Sequence, residues 1–472
     1  MVIEPDMLQT WALRRQKGVN VAINAENDVP ISGIDDLLIP FHEACKPASE
    51  FRVGTEAEKF GWLSDAQRPL PFSGPRSVQT VLTALAERFA WTPDREQPEG
   101  DVIALLRGQS SVTLEPAGQL ELSGAPHDSV HETDREFRQH FGELHQIGDP
   151  LGIAWLSLGF HPFAKLDELP RVPKLRYAIM ERYLPTHGPR ALDMMRRTCT
   201  VQANLDYAAE SDAVRKLRVG LALQPIVTAM FANSPFCEGA KSARLSERAD
   251  VWLHMDPDRT GLLPFAWERD MSFRAYVEWA LDVPMFLIKR DGHVTANTEQ
   301  TFRTYLREGR AGFHATLSDW KTHINSLFPE ARLKNTLEMR GADAQSGQLL
   351  CATPALWKGL LYDEIALAKA EALIAPLSAA LLERVRPEIA GTGLRTKLVG
   401  RPMRAWAAEI LEIASDGLQR LGVKNEQGES EAIYLSGIQR LVHEDMSPAH
   451  VLLAKVRDGA DFTDQVVAAT CV

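Results

Sequence analysis

Glutamates recur in short runs at a spacing of two, with apolar or small residues between them. In Arg52-Val53-Gly54-Thr55-Glu56-Ala57-Glu58 both carboxylates alternate with Val53, Thr55 and Ala57. Side chains two apart on a strand share a face, so Glu56 and Glu58 point the same way. Glu115 and Glu121 flank the turn Pro116-Ala117-Gly118, opposite the face taken by Val112, Leu114, Leu120 and Leu122. Thr200, Gln202, Asn204 and Asp206 alternate with Cys199, Val201, Ala203 and Leu205, while Glu338 and Arg340 oppose Leu337 and Met339. Any one such run is ordinary for a half-solvated antiparallel sheet. Four together are not, because clustered carboxylates repel and a solvated face interleaves lysines to relieve them. Lys59 is the only lysine in or immediately beside these runs. Oxygen-rich clusters without thiols select hard cations such as Mg²⁺, with phosphate oxygens completing the shell. The pattern therefore points to metal and nucleotide.

Signatures of competing chemistries are missing. The sequence has no Gly-x-x-x-x-Gly-Lys-Ser/Thr, no His-Glu-x-x-His and no Gly-x-Ser-x-Gly, which removes P-loop, zincin and α/β-hydrolase readings. Gly391-Thr392-Gly393 lies among helical segments and reads as a loop. His161, in Leu158-Gly159-Phe160-His161-Pro162, has no partner in view and is assigned a structural or surface role.

The elements that must position these carboxylates can be read in outline. A lead-in over residues 1–50 includes an amphipathic segment from Ile34 to His42, and a first strand runs from Phe51 to Phe60. Loops near 63–76 and 236–246 are candidate covers for a site. Val78 to Phe89 has helical spacing, residues 91–100 read as a polar connector, and Ser111 to Ser123 as a hairpin. Asp128 is read as the cap of a helix through Val130, Phe137, Phe141 and Leu144. Ser211 is read as the cap of another that kinks at Pro225 and stops before Pro235. From Thr353 to Leu421 the pattern is strongly helical.

The 472 residues are 45% hydrophobic and 24% charged, with a net charge of −11. That composition fits a soluble globular protein. No block of five basic residues occurs, so nucleic acid and anionic membrane are excluded as general partners, and a polyanionic ligand needs local arginines or divalent cations beside it. Five scattered cysteines form no Cys-x-x-Cys pair. They read as buried structural thiols of a reducing compartment. Met1 to Arg15 resembles neither a secretory signal nor a transit peptide, and Gly220 to Phe236 is too interrupted to span a bilayer. The expected location is cytoplasmic.

The residues also resemble a family. The runs Val53-Gly54-Thr55-Glu56-Ala57-Glu58-Lys59-Phe60-Gly61, Gly118 to Pro126, Leu192 to Gln202, Leu221-Ala222-Leu223-Gln224-Pro225, Phe231-Ala232-Asn233-Ser234-Pro235, Asp258-Arg259-Thr260-Gly261 and Leu337 to Asp343 are similar to glutamate–cysteine ligases of the plant type, a branch shared with many proteobacteria. They span roughly residues 51–365 in the family's order.

The resemblance implies an α+β, glutamine-synthetase-like fold in which an antiparallel sheet curves into a half-open funnel, with helices on its outer face. It implies a single catalytic domain over 1–472, with a sheet-based core over 51–350 and a mainly helical part over 351–472. The implied reaction is ATP-dependent joining of the L-glutamate γ-carboxylate to the amine of L-cysteine through γ-glutamyl phosphate, the first step of glutathione biosynthesis. ATP and Mg²⁺ would occupy the concave face of a monomer or homodimer. By motif, Glu56, Glu58, Glu121 and Glu338 match the metal-binding carboxylates, with Glu115 close behind. Gln202 stands where related bacterial enzymes carry a histidine and is assigned to nucleotide contact. Arg340 matches a phosphate-facing arginine that, with Glu338, serves catalysis, and Arg248 and Arg259 flank the glutamate-binding segment. The acceptor amine stays open on the residues alone, as does a catalytically dead binding protein.

Overall fold

The computed structural model describes residues 29–290 and 293–472; the lead-in over 1–28 and the reading of Met1 to Arg15 lie outside the described residues. Its centre is a ten-stranded sheet in which every pairing is antiparallel. The strands are β1 (Val53–Leu63), β2 (Arg68–Pro69), β3 (Thr92–Arg95), β4 (Val102–Arg107), β5 (Ser110–Leu114), β6 (Leu120–Ser123), β7 (Ile153–Leu156), β8 (Thr200–Leu205), β9 (Ala331–Leu333) and β10 (Leu337–Asp343). They lie in the order β9-β10-β8-β1-β6-β5-β4-β3, with β2 and β7 paired to the far end of β1.

The period-two readings of β1, β5, β6, β8 and β10 are borne out by this sheet. Residues 91–100 differ from the expected connector: they contain β3, an exposed edge strand that shows no apolar alternation. Val53, Ala57, Val201, Ala203, Leu205, Leu337 and Met339 turn into one hydrophobic core with the helices behind the sheet. Those helices include α1 (Val78–Phe89), α2 (Val130–Gly148), α3 (Glu210–Met230), α4 (Glu247–Trp252), α5 (Gln348–Leu361), α6 (Ala379–Thr392) and α7 (Met403–Leu421).

Ser129, not Asp128, caps α2, because its hydroxyl accepts the Glu132 N–H in a reciprocal box. Helix α3 starts at Glu210 rather than after Ser211 and continues through Pro225 to Met230. Gly220 of α3 has a packing reason: an added Cβ would come within 2.8 Å of the Met339 methyl. α5 is buried from Leu350 to Leu361 on all sides, between the sheet and α7. Truncating one of its leucines, such as Leu356, to Ala should cost about 2–5 kcal/mol. Among the described residues no single helix is long and apolar enough to cross a membrane. Cys199 and Cys351 are buried, as expected of structural thiols, but Cys471 is exposed.

Candidate active site

Strand pairing brings the glutamates together on the face opposite the core. Glu58 pairs with Glu121, Glu56 pairs with Ser123 on one side and Gln202 on the other, and Glu338 pairs with Asn204. Glu115 lies just past the end of β5, in the turn before β6. The hydrogen bonds on Glu56, Glu58 and Glu121 are from neutral groups: the Asn204 amide donates to Glu56 (2.9 Å), the Thr200 N–H to Glu58 (3.0 Å) and the Ser123 hydroxyl to Glu121.

The charge on this face is poorly compensated. Burial, then Glu338 and Glu121, push Glu56 up to about 7. Burial, then Glu115 and Glu121, push Glu58 well above its usual range, and burial with Glu115 raises Glu121. Lys59 gives little relief, since it points to the other face. Its ammonium is fully buried on the carbonyls of Ala57 (3.4 Å) and Leu120 (3.3 Å), and burial pulls it down to about 8.

Among the described residues no group of three or more Asp, Glu, His or Cys side chains is placed to hold a metal ion by itself. A Mg²⁺ ion needs only one or two carboxylates where substrate phosphates and waters complete its shell. Buried hard oxygens repelling one another are a fitting donor set for such an ion.

Glu338 has a different setting from the other carboxylates. It is fully buried and takes both oxygens to Arg332 (2.7 and 2.8 Å), with Lys334 and Arg340 also on it. Burial would raise its pKa, but Arg332, Lys334 and Arg340 together hold it well below the usual carboxylate range. Arg340 also donates to Gln202 (2.8 Å). A bulge between Met339 and Ala342 adds a residue to β10 at this point. Gln224 of α3 holds the bulge from behind by accepting the Gly341 N–H (2.9 Å), and Thr228 donates to the Gly341 carbonyl (3.0 Å). Gly341 is required there, because a Cβ would meet the Gln224 amide oxygen at 2.2 Å.

A pocket opens beside Arg340, bounded by Arg248, Trp252, Phe328, Glu330 and Arg386. The Arg340 guanidinium lies 5.8 Å from the Trp252 ring centre and 5.7 Å from that of Phe328. Arg248 is buried and donates to the Arg340 carbonyl (2.7 Å), while Asp343 stands 4.0 Å from its guanidinium. Asp343 is in turn held by the Asn233 N–H (2.7 Å) and the hydroxyls of Ser234 (2.7 Å) and Ser246 (3.0 Å).

Two residues singled out by the sequence meet different fates. Arg259 is not brought to the pocket: it is fully buried, paired to Asp256 at 2.6 Å, bonded to the carbonyls of Ser326 and Pro284 and stacked on Phe286. Its assignment to substrate is therefore corrected to a structural one. His161 is structural as expected, its ring accepting the N–H groups of Phe163 and Ala164, with burial pulling it down to about 3.

Sequence reasoning missed Arg332 and Lys334, although they alternate with Ala331 and Leu333 in the same period-two pattern. It also missed Lys174, Arg176 and Tyr177, a segment that carries no periodic signal. Lys174 and Tyr177 both donate to the Leu114 carbonyl (2.8 and 2.7 Å), and Arg176 donates to the Tyr177 hydroxyl (2.9 Å). Burial and Arg176 pull Lys174 down to about 8, while Glu115 and Glu121 push it back up.

The model of glutamate–cysteine ligase family 2 matches residues 52–468. The chain belongs to this family. Among its relatives, the glutamate–cysteine ligase of Brassica juncea is 42% identical over 424 residues, covering 89% of this chain and 80% of that protein. Ligase B of Oryza sativa subsp. japonica is 42% identical over 422 residues, covering 89% and 83%, and the Arabidopsis thaliana ligase is 42% identical over 424, covering 89% and 79%. These relatives are named as chloroplastic, so the cytoplasmic expectation does not stand. The solved glutamate–cysteine ligase of Francisella tularensis, in complex with AMP, aligns over 89% of this chain and 87% of its own at a TM-score of 0.53 and 11% identity. That likeness carries the fold, which is the α+β, glutamine-synthetase-like architecture expected.

Proposed function

We infer that this chain is a glutamate–cysteine ligase that joins the γ-carboxylate of L-glutamate to the amine of L-cysteine at the expense of ATP. The observation that carries the reading is the acidic sheet face meeting a cationic pocket at Arg340, in a chain of this family. A carboxylate oxygen is a poor leaving group, so transfer of the γ-phosphoryl of ATP to the glutamate side chain must precede amide formation. The γ-carboxylate attacks the γ-phosphorus, giving γ-glutamyl phosphate and ADP.

Arg340, Arg332 and Lys334 stabilise charge on the phosphoryl group in transit, and Gln202 steadies Arg340. Arg248 holds the α-carboxylate of glutamate. When bound, Mg²⁺ would supply positive charge that offsets that of the phosphates during transfer. Glu56, Glu58, Glu115, Glu121 and Glu338 are the carboxylates that would hold it, one or two to an ion, the rest of its oxygens coming from substrate phosphate and water. The cysteine amine then attacks the acyl carbon, Arg340 faces the tetrahedral oxyanion, and phosphate leaves. The chain works as one catalytic unit, as a monomer or homodimer, with the sheet core over 51–350 carrying the site and the helices over 351–472 supporting it. Its product feeds glutathione synthesis.

The test is phosphate release from ATP with glutamate, comparing cysteine, ammonia and other amines, with mass identification of the product. Cysteine is expected to give the highest rate and a γ-glutamyl amide. A lack of any glutamate-dependent phosphate release would sink the reading.

A further inference from the structure

Glu330 is the one carboxylate, among the described residues, on a pocket wall that presents three guanidiniums, those of Arg248, Arg340 and Arg386. Charge alone does not require it, since a site for anions is better without it. Its placement is tightly determined. The Glu330 N–H donates to the Gly261 carbonyl (2.9 Å) and its own carbonyl accepts the Arg340 N–H (3.2 Å), so its backbone is fixed to the residue facing phosphate. One carboxylate oxygen is engaged by Arg386, which also takes both oxygens of Glu383 (3.0 and 2.9 Å). The Glu330 side chain keeps 16% of its surface open against 9% for Arg386. It also lies near enough to Arg248 to favour that arginine's charged form, although burial is the larger influence and lowers it.

We propose that Glu330 receives the α-ammonium group of the glutamate substrate, beside an α-carboxylate held by Arg248, and so selects an amino acid over a plain dicarboxylate. The assignment rests on the ligase reading above. Glutamate carries two carboxylates and one ammonium, and the pocket supplies cations in excess plus one acceptor of opposite sign. The α-carboxylate and α-ammonium share a carbon atom, so their receptors must be neighbours, as Arg248 and Glu330 are. Arg386 acts as a positioning residue, holding the Glu330 carboxylate along the wall.

The experiment compares L-glutamate with glutarate, which keeps both carboxylates and lacks the ammonium. Hydroxylamine trapping of the acyl phosphate reads both substrates without cysteine. Wild type is expected to prefer glutamate strongly. In Glu330→Gln the KM for glutamate should rise at least ~30-fold, the scale of losing one partner of a buried charge pair. The KM values for ATP and cysteine should move little, and the preference over glutarate should collapse by a similar factor. Glu330→Asp, which keeps the charge on a shorter arm, should retain part of the preference and serves if the glutamine variant folds poorly. An unchanged preference, an equal loss with both substrates, or a KM effect confined to cysteine would each overturn the assignment. Wild type that releases no phosphate with glutamate would instead overturn the ligase reading itself, which is a separate result.

Discussion

Replacing Glu56 by Gln is expected to stabilise the metal-free protein while disabling the enzyme. Glu56 titrates at about 7 in the folded chain against an ordinary 4.5, because of burial and the neighbouring Glu338 and Glu121. The folded state therefore keeps a proton that the unfolded chain releases between those values. Stability falls as pH rises through that window, and the whole cost is present above it. Each pKa unit corresponds to about 1.4 kcal/mol, so the cost at pH 8 is about 3 kcal/mol. Glutamine carries no charge and can still accept the Asn204 hydrogen bond. Urea denaturation in EDTA should find the variant about 2–3 kcal/mol more stable at pH 8, the difference fading toward pH 4.5. Turnover should drop by at least ~100-fold, and saturating Mg²⁺, which raises the wild-type midpoint, should raise the variant's less. An equal or lower midpoint for the variant at pH 8 would refute the claim that repulsion is stored at this position.

Glu338→Ala should act with the opposite sign, because it leaves Arg332, Lys334 and Arg340 uncompensated; a loss of about 3–5 kcal/mol is expected in the same denaturation assay. Arg340→Met should cut turnover by about 100- to 1,000-fold with near-native circular dichroism and an unshifted unfolding transition. Arg259→Met should destabilise by about 3–5 kcal/mol by leaving Asp256 buried and unpaired, while the KM for glutamate in the protein that folds stays at the wild-type value. His161 and His323 stay neutral down to about 3 in the folded chain, whereas the unfolded chain takes up protons near 6.5. Stability should therefore be lost as pH falls through that interval, and His161→Phe should flatten part of this acid limb in thermal melts.

The sheet face was legible because period two is enforced wherever one side of a strand is buried, as Val53, Ala57, Val201 and Met339 demand. The edge strand β3 was not, since all four of its residues are exposed and burial imposes no pattern on them. β7 was unreadable for the reverse reason: Ile153 to Leu156 are buried on both faces. Among site residues, Glu56, Glu58, Glu115, Glu121 and Gln202 gather on the expected face with Arg340. Spacing could not say that Glu338 would be wrapped by cations, because Arg332 arrives from a neighbouring strand. Nor could a short run such as Asp258-Arg259-Thr260-Gly261 tell a ligand-facing arginine from one in a sealed pair. Arg176 and Glu330 come from segments without a periodic pattern, where only the folded chain reveals what they face.

The bulge in β10 sets a length scale. Two residues of one strand, Gly341 and Ala342, separate Arg340, proposed to face the phosphoryl group, from Asp343, which stands 4.0 Å from Arg248, the residue proposed to hold the other end of the substrate. Their separation is covalent and braced by α3, so no loop movement can stretch it. A side chain one methylene shorter or longer than glutamate's would place its carboxylate off line, and a misplacement of about 1 Å costs on the order of 100-fold in rate. Aspartate and 2-aminoadipate should thus be poor substrates because the frame is rigid, whatever their affinity. Relaxing that choice by engineering would take an insertion or deletion in the strand, since substitutions in the pocket wall leave the span unchanged.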